Sequence, residues 1–422
     1  MQTPRQHIQP SILGNSPALI RHCRYKRFGF KHGSVLVIAS GYHLVNDSVR
    51  AFLSQQWGVK LLQLQPVETF ISRFFEAIAL HKPDFLFTIN HIGFDNGGAL
   101  TRILEEIEMP FVSWFVDQPE FILLNHQKNA SSWGVTPVWE KAGLEFLEQF
   151  GFPNSFYLPL AGSSKRLMND RATKAHQYGV SFVGDSLQAG AMKWRMRCES
   201  ETDLGCLIDP VVEKLLENRL QKPIELAKEI SAESASQISA TPAHHLAIFS
   251  SAVCKEASRR QRLAMAETLA DEQLDIFGDD GWRGNVPDQV KLYPPVDYND
   301  ELFSVYNASM INLNVTNFQM PTAVNQRVFD VPLAGGFLLT DHQADLDDLF
   351  DAENEVVSYR SAEEALEKVC YYKRNSSARE NIINHARTKI MAEHTYDKRI
   401  AAILLQVRDH YRMMCGSVAQ VF

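Results

Sequence analysis

The sequence predicts an α/β protein built from two doubly wound, mostly parallel sheets. Three observations predict it. The chain has 422 residues, more than one ordinary core accommodates. Short apolar runs without alternation, such as residues 35–39 and 337–339, suit strands covered on both faces. Helical spacings separate these runs in two successive stretches of the chain.

In the first stretch, 35–39 (VLVIA) is a strand closed by the turn Ser40-Gly41-Tyr42, and Phe52 and Leu53 lie on the helix that follows. Residues 85–89 (FLFTI) form a strand ending at Asn90 and His91, and 100–108 is a helix stopped by Pro110. The strand at 111–116 ends in Asp117-Gln118-Pro119. Trp139, Gly143, Phe146, Leu147 and Phe150 fall at helical spacing, and 156–158 is the next strand. In the second stretch, 180–185 opens a sheet and a helical insert spans about 187–268, with a loop expected at the Ser/Ala-rich segment 231–242. Strands follow at 274–278, 290–293, 310–315, 337–339 and 356–359. Helices are predicted at 300–308, on the stripe Ala362, Ala365, Leu366, Val369, Cys370, and on the stripe Ile400, Ile403, Leu404, Val407, Tyr411. The organisation read from this is a basic arm at 1–32, a first domain at 33–178, a second at 179–395 and a last helix at 396–422.

Composition narrows the function classes. A net charge of −8 argues against a binder of duplex nucleic acid. Six scattered cysteines, none in a Cys-x-x-Cys pair, suit a reducing cytoplasm. No apolar run reaches membrane-spanning length. The arm carries Arg21, Arg24, Lys26 and Arg27 and reads as mobile or loosely docked, with a weak peripheral membrane contact as the alternative.

The densest chemistry lies at 324–341, a short helix, a glycine turn and a strand ending in a carboxylate. Arg327 and Asp330 are three apart and share a helical face. They suit either the phosphates and ribose of a nucleotide or an intrahelical ion pair. Doubly wound sheets bind ligands at the carboxyl ends of their strands, so residues there carry most weight.

Four segments then resemble the CgeB-like (spore maturation protein) glycosyltransferases, of the GT-B group. They are Phe94-Asp95 through Gly98 with 114–119 (WFVDQP), 181–184 (SFVG), 325–341, and His394-Thr395-Tyr396 with Arg399. Gln118 stands where that family usually has Asn, and Asp330 where it usually has Glu, a shorter arm that re-aims any ribose contact. The resemblance implies two Rossmann-like domains facing a cleft, an acceptor on the first, a nucleotide-sugar donor on the second, and a last helix that returns to the first. The implied reaction moves a sugar to a protein, polysaccharide or lipid-linked glycan acceptor. A sugar-nucleotide epimerase and a non-catalytic binding or scaffold protein of the same fold remain alternatives.

Glycosyl transfer needs a stabilised leaving diphosphate and a base for the acceptor. For the diphosphate, Arg327 is the main candidate, as a bidentate grip on phosphate oxygens. Asp330 is a candidate for the ribose. Gly41, Gly184, Gly335 and Gly336 offer close backbone approach, or simple turns and caps. Thr316 and Asn325 suit sugar or phosphate contacts, or turn capping. Gly281 and Trp282 flank a base, or pack. For the base, Asp117 and His43 lead, with a turn-forming Asp and a structural His as the alternatives. No cofactor and no metal are expected; Asp345-x-Asp347 reads as a solvated acidic face.

Overall fold

The computed structural model describes residues 17–124, 126–167, 176–298 and 301–418. The chain separates into two units, one formed by Met1–Pro159 with Tyr396–Phe422 and one by Leu160–Thr395. The first unit therefore ends before residue 178. Residues 160–162 belong to the second: Ala161 O accepts from Gln326 Nε2 at 2.7 Å, and Gly162 bridges Thr395.

The first unit holds one six-stranded parallel sheet. Its strands are β1 (Ser34–Ala39), β2 (Gly58–Gln63), β3 (Phe85–Ile89), β4 (Phe111–Trp114), β5 (Gly134–Val138) and β6 (Asn154–Tyr157), in the order β2-β1-β3-β4-β5-β6. The central strands are buried along their length, and helices connect successive strands, as parallel pairing requires. β2 and β5 are additions to the sequence reading. β2 is an edge strand with only Leu62 buried, so it shows no apolar run, and Pro137 masks β5. The helix at Gly143–Phe150 starts after Trp139, which is buried beyond the end of β5. The helix Tyr396–Val418 packs into this unit through Ile400, Ile403 and Val407, with the edge of Tyr396 on Trp114.

The basic segment after residue 16 is not a loose arm. It forms the helix Pro17–Cys23, and Arg27 is 1% exposed. Its guanidinium donates to the carbonyls of Cys23, Pro83, Ile107 and Glu108, at 2.6–3.2 Å. Four carbonyls replace the water a buried cation gives up.

The second unit holds β7 (Tyr178–Val183), β8 (Leu274–Phe277), β9 (Lys291–Tyr293), β10 (Ser309–Asn314), β11 (Leu338–Asp341) and β12 (Val357–Tyr359), ordered β12-β11-β10-β7-β8-β9 and all parallel. Strand order reverses between β7 and β10, which makes the carboxyl ends of those strands the crevice for a ligand. The insert has its own apolar cluster, including Val211, Val212, Leu215, Phe249 and Val253. The expected loop at 231–242 is instead the helix Ala232–Ala240, and the Ser231 side chain caps it by accepting from Ser234 N. Serine and alanine there mark a helix start and body. A helix at Ser376–Glu393 also joins this unit.

Candidate functional site

The second unit's crevice is lined by three arginines from different places in the sequence. Arg327 opens the helix Arg327–Leu333, and its Nη2 donates to Val183 O, the last residue of β7, at 2.6 Å. Arg262 reaches in from the insert's long helix, Ala243–Thr268. Its Nη1 donates to Asp185 O and its Nη2 to Asn317 Oδ1 at 2.9 Å, with the guanidinium over the Phe182 ring. Arg219 donates to Asp341 Oδ2 at 2.8 Å and to the carbonyls of Thr316, Asn317 and Met320.

Their charges are not equally matched. Asp341 neutralises Arg219. Among the described residues, neither Arg262 nor Arg327 has a carboxylate at ion-pair distance, and the Nε of each is buried without a partner. Arg262 is 6% exposed. Burial, and then the like charge of Arg327, pull its pKa down to about 9. A buried and a half-buried cation side by side, with Asp185, Asp279 and Asp341 acting on Arg262 only from beyond ion-pair distance, form a place for an anion.

The other sequence-predicted residues of this unit divide clearly. Gly184 lies beside the cations: a Cβ there would sit 3.3 Å from Arg327 Nη2. Asn325 bonds Asn314 Oδ1 and, through its own Oδ1, the Arg327 backbone N–H, so it shapes the start of that helix. Thr316 is buried, with N–H and hydroxyl both donating to Asp341 Oδ1. Asp330 forms no ion pair with Arg327. It is buried, accepting from Tyr298 O–H at 2.9 Å and from Gln326 Nε2 at 3.0 Å, so a ribose would have to displace Tyr298 to reach it.

Three expectations are corrected. Trp282 does not present a face to a base: it is 1% exposed, meets Phe182 edge-on and donates from Nε1 to Gly184 O. Gly281 serves packing, since a Cβ would strike Ser186 Oγ, which Asp279 holds. Gly335 and Gly336 precede β11 and therefore lie at its amino end, away from the crevice. Gly335 (φ +83°) turns the chain out of the helix, and Gly336 lets Asn312 and Tyr306 approach closely. Arg262, Arg219 and Asp341 are additions. The signal for Asp341 was its place at a strand's carboxyl end; Arg262 sits inside a helix of mixed pattern, and nothing local marks it. In the acidic segment, Asp345 is buried and Asp347 faces His342 at 3.1 Å.

In the first unit, strand order reverses between β1 and β3, and Gly41, Tyr42, Asn90 and Asp117 all follow strand ends there. Gly41 (φ +79°) makes the turn after β1. His43 is the first residue of the helix His43–Ser54. Asp117 is exposed, and its Oδ2 accepts from Tyr42 O–H at 2.8 Å and Asn90 Nδ2 at 2.7 Å. Burial, then the Asp117 charge, push the Tyr42 phenol up to about 12, so it stays a donor. His91 is a buried core residue stacked on Phe94, and burial drives its pKa well below the usual imidazole range. His394 is buried too, with Nε2 against Leu349 O at 3.0 Å.

Residues 259–405, which include Arg262, Arg327 and Asp341, match the family model described as Glycosyl transferase-like. The two parallel six-stranded sheets match known structures over nearly the whole chain. A glycosyltransferase from Rickettsia africae ESF-5 aligns with a TM-score of 0.53 at 6% identity, covering 90% of this chain and 99% of that one. Sucrose-phosphate synthase from Thermosynechococcus elongatus gives 0.53 at 10% identity, covering 92% and 100%. Anabaena HepE in complex with UDP-glucose gives 0.51 at 9% identity, covering 88% and 99%. The fold is GT-B. At such identities these GT-B structures speak to architecture only. No curated protein matches the chain. Among the described residues, no helix is long and apolar enough to cross a membrane.

Proposed function

We propose that this protein is a glycosyltransferase of the CgeB-like kind, moving a sugar from a nucleotide-sugar donor to a hydroxyl of a protein, polysaccharide or lipid-linked glycan. One observation carries the reading: Arg262 and Arg327 meet at the switch point of the second unit's sheet with no carboxylate of the described residues at ion-pair distance. A nucleoside diphosphate supplies the missing negative charge, and the same cations stabilise it as it leaves. The glycosyl transferase-like match over this segment and the GT-B fold support the same assignment.

The residues divide the chemistry. Arg327 and Arg262 hold the diphosphate, Gly184 admits it beside the end of β7, and Asp117 of the first unit takes the acceptor's proton. With two cations on the diphosphate, the reaction proceeds without a metal, and the enzyme works in the cytoplasm. Because HepE was solved with UDP-glucose, UDP-sugars are the first donors to try.

The test is calorimetry against UDP, GDP, ADP, CMP and dTDP, without metal and then with magnesium. One nucleotide should bind in the micromolar range without metal, and Arg327→Ala should weaken it at least about tenfold, the loss of one charge-assisted hydrogen bond. A folded protein that binds none of the five would sink the donor-site assignment.

A further inference from the structure

We propose that Asn90 and Tyr42 are positioning residues that pin one oxygen of Asp117 and leave the other open as the proton acceptor. The proposal rests on the reading of Asp117 as the base and goes beyond it by saying how that base is held.

The hydrogen bonds are divided unevenly over the carboxylate. Oδ2 accepts both the Tyr42 hydroxyl and the Asn90 amide. Oδ1 accepts no hydrogen bond from any described residue, and Asp117 is exposed. The usual aspartate turn is closed to this carboxylate, because Pro119, two residues on, has no N–H to donate. It is instead fixed from β1 and β3, the two strands at which the sheet order reverses.

Asn90 is itself held with unusual thoroughness. Its Oδ1 accepts from the backbone N–H of Val116 and of Asp117, at 2.8 and 3.2 Å, and its own N–H donates to Trp114 O. Its backbone is left-handed (φ +52°), and so is that of His91 (φ +58°). Two consecutive non-glycine residues in that region are uncommon and concentrate where a fold fixes a functional group. The left-handed turn aims the Asn90 amide across the end of β3 at Asp117, three residues past β4. His91 is locked in place as its N–H donates to Ser113 Oγ at 3.0 Å.

The step balances. The bond from the sugar's anomeric carbon to the diphosphate oxygen breaks, and the electron pair leaves with the diphosphate. A bond forms from that carbon to the acceptor oxygen. The acceptor's O–H proton passes to Asp117 Oδ1, and solvent later takes it.

Asn90→Gly tests this, because glycine adopts φ +52° freely and only the amide is lost. Tyr42→Phe removes only the hydroxyl and serves if the first variant folds poorly. The probe is the glucose conjugate of whichever nucleotide binds, UDP-glucose first, with water as acceptor and nucleotide release as readout. Asp117→Asn should lose about 100-fold or more in kcat, as removal of a general base does. Asn90→Gly should lose about tenfold or more and Tyr42→Phe somewhat less, with KM and nucleotide affinity unchanged. Unchanged KM excludes a general loss of structure. Wild-type kcat in both positioning variants, with Asp117→Asn inactive, overturns the proposal and leaves the base assignment standing. Full activity in Asp117→Asn, or nucleotide binding with no donor hydrolysis by the wild type, overturns the base and the proposal together. Absence of nucleotide binding removes the glycosyl-transfer reading itself.

Discussion

Replacing Arg262 by Gln should change both how tightly a nucleotide binds and how that binding responds to pH. The arginine's pKa falls from 12.5 to about 9, first through burial and then through Arg327. That drop corresponds to roughly 5 kcal/mol against the charged form. The folded-state value lies below the unfolded one, so the unfolded chain holds this proton more tightly. The charged side chain therefore costs stability below about pH 9, and the cost shrinks as pH rises from 9 toward 12.5. An anion beside the guanidinium removes much of that cost. At pH 7.5 the variant should bind the nucleotide about 10- to 150-fold more weakly, equivalent to 1.5–3 kcal/mol for a hydrogen bond to a charged group. Above about pH 9 a growing share of Arg262 side chains in the free protein is neutral, so the wild-type advantage should shrink between pH 7.5 and 10. Calorimetry at pH 7.5, 9 and 10 on both proteins measures this, and ionisation of the base cancels in their ratio. A wild-type-to-variant ratio that stays constant from pH 7.5 to 10 would refute a buried, burial-weakened arginine at the diphosphate.

Three further substitutions separate packing from binding. Trp282→Ala should cost about 3–5 kcal/mol in urea unfolding, as a fully buried aromatic does; normal stability with lost nucleotide affinity would restore the base-stacking role. Gly336→Ala puts a Cβ 2.6 Å from Asn312 Nδ2 and 2.7 Å from Tyr306 O, and should cost about 1–3 kcal/mol by thermal melting. Arg27→Ala leaves the buried carbonyls of Cys23 and Ile107 without this donor and should destabilise the protein by at least about 3 kcal/mol in urea unfolding; a loose arm would give no change.

The sheets were legible because a parallel strand buried on both faces shows itself as an uninterrupted apolar run. Residues 35–39 and 85–89 fall inside β1 and β3 for that reason. β2 escaped because an edge strand has one protected side: Gly58, Lys60 and Gln63 are exposed and break the run. The placement of Arg327 and Asp117 near strand ends was legible because each lies beside a turn that local sequence reveals. Gly335 and Gly336 misled because glycine marks a turn without saying at which end of the sheet it lies. Asp330 was read as a ribose contact, with an ion pair to Arg327 as the alternative. It accepts from Gln326, which helical spacing could not separate from Arg327 since 326, 327 and 330 are close neighbours on that turn, and from Tyr298, 32 residues away, which no local pattern points to.

Arg262 shows most plainly why the rest was hidden. It stands in a segment rich in cations, Arg259-Arg260-Gln261-Arg262, that reads as a solvated helix face. Arg259 and Arg260 do pair with Glu256, and Arg260 also with Glu213. Arg262 is turned about 200° along the helix from Arg260 and so faces the sheet. There it meets backbone oxygen and an amide, where Arg219 nearby meets Asp341. The two arginines come from the same insert, reach the same strand ends and share Asn317 as a partner. Their difference is the counter-ion. An arginine that closes on a buried carboxylate is complete within the fold. One held by neutral oxygens, next to a second such arginine and with its carboxylates (Asp185, Asp279, Asp341) beyond ion-pair distance, favours an anion at the switch point of the sheet. The insert is therefore part of the anion site and not an appendage beside it.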